Sequence, residues 1–164
     1  MDCVNDIIKS SKNILIISHV NPDGDALGSM CGLYGAILEN HKKKVDMMAI
    51  SKIPYVYSYL PYLSEVKDIE EFDKSREYDL IINVDVASLD RICDGKILFE
   101  KAKHTINIDH HKTNIGYGEF NIINPEASST GEVLFDCFNK MGWKLNLDIA
   151  TCLYTAILTD TGSF

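Results

Sequence analysis

Residues 18–29 read SHVNPDGDALGS and place His19, Asp23 and Asp25 within seven positions, directly after an apolar run. Three potential ligands in so short a stretch are too many for an ordinary turn. They are few enough for a metal ion, with Pro22 and Gly24 shaping the turn that aims them. Comparable groups recur further along the chain. Asp85 follows the apolar run of YDLIINVDVAS, Asp109-His110-His111 closes HTINIDHH, and Asp160 sits in AILTDTGSF. Taken singly, each has a plain explanation, because a strand-end Asp is often a cap and a lone His is usually a satisfied core residue. Their shared position, at the ends of elements, is what sets them apart. In open α/β sheets the carboxyl ends of the strands form the ligand crevice, so these separated stretches meet on one edge.

The donor types narrow the chemistry. Carboxylates with imidazole and no thiolate favour Mn²⁺ or another divalent ion that tolerates octahedral geometry over a Cys-rich zinc site. Even two His and four Asp of this set exceed what one ion takes from protein while keeping a reactive water. Two ions roughly 3.5–4 Å apart, sharing one carboxylate, fit better and suit in-line phosphoryl displacement.

The elements that would position these groups alternate between strand and helix. NILIISHV (13–20), KKVDMMAIS (43–51), YDLIINVDVAS (78–88) and HTINIDHH (104–111) read as strands. ALGSMCGLYGAILEN (26–40) carries Leu27, Met30, Leu33, Tyr34, Ile37 and Leu38 at helical spacing, and PYVYSYLPYL reads as a short helix broken by a turn. Ser129 and Glu132 form a capping-box pattern opening STGEVLFDCFNKM, which Gly142 stops. Asn146 caps LDIATCLYTAILTD, whose Ile149, Leu153, Ala156 and Ile157 share one face. Continuous apolar strands separated by helices predict an α/β fold, a mostly parallel sheet with helices on both faces.

Composition sets outer bounds. The 164 residues fit one domain, with 46% hydrophobic and 24% charged residues. No apolar run reaches the roughly 18–20 residues that cross a bilayer, and the N-terminus lacks a signal-peptide pattern. Five cysteines without a C-x-x-C pair read as small buried hydrophobes in a reducing compartment, so the cytoplasm is the expected location. A net charge of −8 argues against duplex DNA as a partner, and two divalent cations would bring it to about −4. HKKK at 41–44 reads as a solvated helix end. Arg91, Lys112 and the ASSTGE stretch at 127–132 are the only evident phosphate-binding groups near the motifs.

HVNPDGDALGS, NVDVAS, IDHHKTN and LTDTGSF, in this order, resemble the four N-terminal motifs of the DHH phosphoesterases. The likeness covers residues 14–164, and PDGDALGS, ASSTGE and TDTGSF are most similar to the bacterial nanoRNase/pAp-phosphatase branch. The resemblance implies that His19, Asp23 and Asp85 hold one Mn²⁺, and that Asp25, Asp85, His110 and Asp160 hold the other, with Asp85 bridging. His111 would face the substrate phosphate, and Asp109 would orient the imidazoles. Mg²⁺ or Co²⁺ would serve in place of Mn²⁺. The expected substrates are short single-stranded oligonucleotides or small phosphorylated nucleotides such as pAp. Pyrophosphate or polyphosphate hydrolysis, or metal binding with little activity, are the alternatives. The resemblance also implies a second, C-terminal domain with a glycine- and histidine-rich substrate motif. The chain is therefore expected to be a fragment lacking that domain, with apolar surface left open for a homodimer.

Overall fold

The computed structural model describes residues 1–43 and 45–163. Lys44, in the HKKK run and the strand expected at 43–51, and Phe164, the last residue of LTDTGSF, lie outside the described residues. Among the described residues six strands form one sheet: β1 (Ile14–Ile17), β2 (Asp46–Ala49), β3 (Val66–Asp68), β4 (Leu80–Val84), β5 (His104–Asp109) and β6 (Phe120–Ile123). Five α-helices accompany them: α1 (Asp2–Ser10), α2 (Gly24–His41), α3 (Gly95–Lys101), α4 (Thr130–Met141) and α5 (Leu147–Asp160).

The strand order is β3-β2-β1-β4-β5-β6, and every pairing is parallel. The order reverses between β1 and β4, the switch point where a ligand crevice opens in doubly wound sheets. Parallel strands must be covered on both faces, which explains why β1 and β4 are buried along their whole length. Side chains alternate accordingly. Ile14, Ile16, Leu80, Ile82, Ile106 and Ile108 pack beneath α1, α2, α4 and α5. Leu15, Ile17 and Ile81 face the other way, toward Leu98 and Phe99 of α3. The expected α/β architecture is thus present, with the heavier helical layer on one face.

Several local expectations need correction. β3, β6, α1 and α3 carry too few apolar residues in a row to stand out: β3 has three residues, two of them exposed. PYVYSYLPYL is a short helix with a turn as expected, its helix a 3₁₀ segment over Tyr55–Tyr57. The capping box at α4 is only half made. The Ser129 hydroxyl accepts from Glu132 N, but the Glu132 carboxylate reaches Ser128 instead of Ser129. Cys3 and Cys93 are exposed, whereas Cys31, Cys137 and Cys152 are buried. Cys93 ends a short 3₁₀ turn at φ 47°. In the basic run, Lys43 does not end α2 in solvent. Its ammonium holds the carbonyls of Ile8, Lys9 and Ser11, which close α1.

The contact that seats the site is α2 against α5. α2 is buried around its whole circumference from Gly24 to Ile37, because the sheet lies on one side and α5 on the other. Gly28 permits the approach: a Cβ there would stand 2.5 Å from the Cys152 carbonyl oxygen and 2.9 Å from Ala156 N. Helix propensity alone makes Gly→Ala favourable by about 1 kcal/mol. Here the backbone of α5 stands in the way, so Gly28→Ala is expected to destabilise the fold by about 1–3 kcal/mol. Urea unfolding measures the sign, and a raised midpoint would show that the helices yield without cost.

Candidate metal centre

Each acidic or imidazole group is aimed by the element that carries it. β1 ends at Ile17, and the chain then turns through Asn21 at φ 55° into α2. His19 is buried there, and its Nδ1 lies 2.8 Å from the Val20 carbonyl oxygen. Nδ1 must therefore carry the proton, which leaves the Nε2 lone pair for a cation. Nε2 stands 3.9 Å from Asp23 Oδ1 and 3.4 Å from Asp85 Oδ2. Asp23 is also the N-cap of α2, accepting from Ala26 N.

Asp25, one residue into α2, is 1% exposed. Its carboxylate accepts from Thr130 N at 2.7 Å, Gly131 N at 3.0 Å and the Ser29 hydroxyl at 3.1 Å. The two backbone donors are the free N–H groups at the start of α4, a natural anion cradle. Asp85 follows β4 at φ 60°, a left-handed conformation that Asp tolerates better than most residues. Its N–H donates to Ile108 O, which ties the turn to β5. Oδ2 faces His19. Oδ1 accepts from the Thr130 hydroxyl at 3.0 Å and lies 3.9 Å from His110 Nε2.

His110 repeats the logic of His19. Nδ1 lies 3.3 Å from Ala127 O, leaving Nε2 3.6 Å from Asp25 Oδ2 and 3.3 Å from Asp160 Oδ2 at the end of α5. Two trios result, His19/Asp23/Asp85 and Asp25/His110/Asp160, each with donor atoms within 4.8 Å of one another. Asp85 stands between them with one oxygen toward each. The donor set of carboxylates and neutral imidazoles fits a pair of hard divalent cations.

Asp109 and His111 sit behind and beside the trios. The fully buried Asp109 accepts from His111 Nδ1 at 2.7 Å, His110 N at 2.8 Å and Asn114 Nδ2 at 2.6 Å. It therefore orients one imidazole rather than both, since the His110 ring is held by the Ala127 carbonyl. Sequence reasoning missed Asn114, Tyr117 and the role of Thr130. Asn114 and Tyr117 both donate to Val86 O, one residue past Asp85, at 3.1 and 2.8 Å. Asn114 lies inside the IDHHKTN stretch, which was the available signal. The ASSTGE stretch also differs from expectation: the N–H groups of Thr130 and Gly131 serve Asp25, not a free phosphate site. Of the two expected cations, Arg91 approaches the centre, with its guanidinium 3.5 Å from His19 Nδ1, while Lys112 is exposed beyond His111.

The carboxylates repel one another. Burial, with the Asp85 charge added, pushes Asp25 up to about 8 despite its backbone donors. Burial also raises Asp160, with Asp85 contributing. For Asp109, burial is outweighed by the bonds from His111 and Asn114, so its carboxyl is held below the usual range. The Asp109 hydrogen bond raises His111 to about 9. Burial lowers His19, but the bonds to Asp85 and the Val20 carbonyl together with the Asp85 and Asp23 charges leave it raised. Asp25 and Asp160 keep protons in the folded state that the unfolded chain has released above about pH 4. Stability of the metal-free chain is accordingly expected to fall as pH rises from about 5 to 8, and the raised histidines extend the decline. Thermal melts in chelator across that range measure it. Added divalent cation should flatten the profile, and an unchanged slope would mean that no cation relieves the repulsion.

The description "DHH family, N-terminal domain" matches residues 13–157. A probable bifunctional oligoribonuclease and PAP phosphatase NrnA of Streptococcus mutans is 36% identical over 157 residues, covering 96% of this chain and 48% of that protein. The bifunctional oligoribonuclease and PAP phosphatase NrnA of Thermus thermophilus is 32% identical, covering 100% of this chain and 48% of that protein. Among solved structures, an exopolyphosphatase-related protein from Bacteroides fragilis superposes with a TM-score of 0.93 at 32% identity, over 99% of this chain and 50% of that one. The chain spans about half the length of the curated relatives it matches. With the family's match running through all six strands and every clustered group at the sheet edge except Asp160, the chain belongs to the DHH family and corresponds to its N-terminal domain.

Proposed function

We propose that the chain is the metal-holding part of a hydrolase that cleaves phosphoesters in very short oligonucleotides or removes the 3′-phosphate of pAp. The observation that carries this reading is the divergence of the two Asp85 oxygens toward separate ligand trios. His19, Asp23 and Asp85 would hold one divalent cation, and Asp25, Asp85, His110 and Asp160 a second. Mn²⁺ suits this mixed oxygen and imidazole set, with Mg²⁺ or Co²⁺ as substitutes. When bound, such cations would supply an acidified water as nucleophile and would neutralise charge on the phosphoryl oxygens. The relatives' names support the substrate class.

The remaining groups have defined tasks. The Thr130 hydroxyl fixes one Asp85 oxygen, so the shared carboxylate keeps its orientation. The α4 N-terminus does the same for Asp25. Asp109 holds the half-exposed His111 beside Asp85, where its ring would meet a phosphate oxygen. The few phosphate donors beyond Arg91 and His111 favour a second reading, in which a further domain supplies most substrate contacts and this part alone turns over slowly.

Asp85→Ala should weaken both metals together, by more than tenfold each, because it removes a ligand from each and leaves two cations close together. Calorimetric Mn²⁺ titration checks this, and one site of normal affinity would disprove the bridge. His111→Ala is expected to retain metal content while lowering turnover at least tenfold. Loss of metal there would mean that His111 is a ligand. Turnover of a dinucleotide, of pAp and of pyrophosphate with Mn²⁺ separates the substrate classes. Cleavage of pyrophosphate alone would overturn the proposal, and tight metal binding without any turnover would favour the second reading.

A further inference from the structure

The aromatic stretch after β2 is not used by the metal centre, yet it is fastened to it at three points. The Ser51 hydroxyl accepts from Asn21 N at 2.7 Å, in the turn that carries His19 and Asp23. The Tyr57 hydroxyl faces the Gly24 backbone, within reach of the Asp23 charge. The Tyr59 hydroxyl meets Thr155 Oγ1 on α5 at 3.1 Å. Because the Thr155 hydroxyl itself donates to Thr151 O, Tyr59 is the donor in that pair.

The chain here turns with i+3 hydrogen bonds, Ser58 N to Tyr55 O and Leu60 N to Tyr57 O. Such a turn sorts its residues onto three sides. Tyr57 and Leu60 point into the apolar cluster with Leu27, Cys31 and Cys152. Tyr55 and Ser58 line a shallow cavity of about 430 Å³ with Ile53, Pro54 and Leu63, and Leu60 also reaches it. Val56 and Tyr59 make the third side, and they remain 68% and 59% exposed. This third side adjoins α5. From Thr155 the helix advances about 7.5 Å to Asp160, and Thr159 in between packs against Gly24, where a Cβ would stand 2.3 Å from its hydroxyl oxygen. The Tyr59 ring is thus an apolar surface with its tip fixed at Thr155, on the helix that ends, five residues later, in Asp160.

We propose that Tyr59, with Val56 beside it, is a stacking platform for the nucleobase attached to the phosphate held at the metal centre. The inference rests on the nucleotide reading above and deepens it by assigning base recognition to this segment. An aromatic ring accepts any base face, so the platform favours nucleotides over base-free phosphates without selecting a sequence. Fixing the hydroxyl on Thr155 removes ring freedom before binding, which lowers the ordering cost.

The test is calorimetric binding of AMP and of ribose 5-phosphate to the Mn²⁺-loaded chain, since the two share phosphate and sugar and differ in the base. Wild type is expected to prefer AMP. Tyr59→Ala should weaken AMP about five- to a hundredfold, on the scale of one lost base–aromatic stack, and leave ribose 5-phosphate unchanged. Tyr59→Phe should restore the AMP preference, because it keeps the ring. Tyr55→Ala, on the other side of the turn, should keep it as well. An equal loss of both ligands in Tyr59→Ala, no loss of AMP affinity, or no preference for AMP in wild type each overturns the platform. Dinucleotide cleavage by the wild-type chain is measured separately. Cleavage without any AMP preference would sink the platform while leaving the phosphoesterase reading in place.

Discussion

Asp25 is a carboxylate buried almost completely between two helices, and its position governs how the rest of the centre is arranged. The only groups that make such burial tolerable are donors, and the unpaired N–H groups at the start of α4 supply them. This contact joins residues more than a hundred positions apart and sets α2 against α4. Thr130 then gives its backbone to Asp25 and its hydroxyl to Asp85, so one residue registers the ends of α2 and β4. The glycine-permitted contact of α2 with α5 brings Asp160 to the same place. What results is a set of acids close enough to oppose one another's ionisation, a state that a cation relieves.

A second layer keeps the imidazoles in place. His19 and His110 each offer Nδ1 to a backbone carbonyl, which presents Nε2 inward. His111 is held by a side chain instead, and the bond reaches back through Asp109 to Asn114. Asn107 in turn bonds Asn114, and Tyr117 links Asn83 to the Val86 carbonyl. Buried amide pairs such as Asn107 and Asn114 are rigid when satisfied, whereas Asn83 Oδ1 in the same layer has no partner among the described residues. They explain why three neighbouring residues, Asp109, His110 and His111, present three different faces to the site.

Much of this was visible in the residue pattern, for reasons that differ by element. β1 and β4 are mostly apolar runs that lead to His19 and Asp85, and β5 sets Ile106 and Ile108 around Asn107 before Asp109, which is what a buried strand opening on a ligand crevice looks like. α4 and α5 announced themselves through Ser129, Gly142 and Asn146, since caps are local chemistry. β3 and β6 were not visible, because an edge strand of three or four residues leans on one neighbour for its hydrogen bonds and needs little apolar surface. The half-made capping box at Ser129 escaped for a similar reason: Glu132 chose Ser128, two backbone positions that a linear pattern cannot rank.

By itself, the sequence determined the fold class, the edge of the sheet where acids and imidazoles gather, and the identity of those groups. These follow from periodicity and from residue type, which are properties of short segments. The tertiary structure alone decided how the groups are shared out. That Asp85 faces both trios depends on its left-handed turn and on the pairing of β4 between β1 and β5. That the ASSTGE donors serve Asp25 rather than a phosphate depends on where α2 packs. That Tyr59 stands beside α5 depends on a hydroxyl contact across ninety-six positions. Each is a matter of distance between segments remote in the chain, and residue spacing carries no information about it until the helices have closed on the sheet.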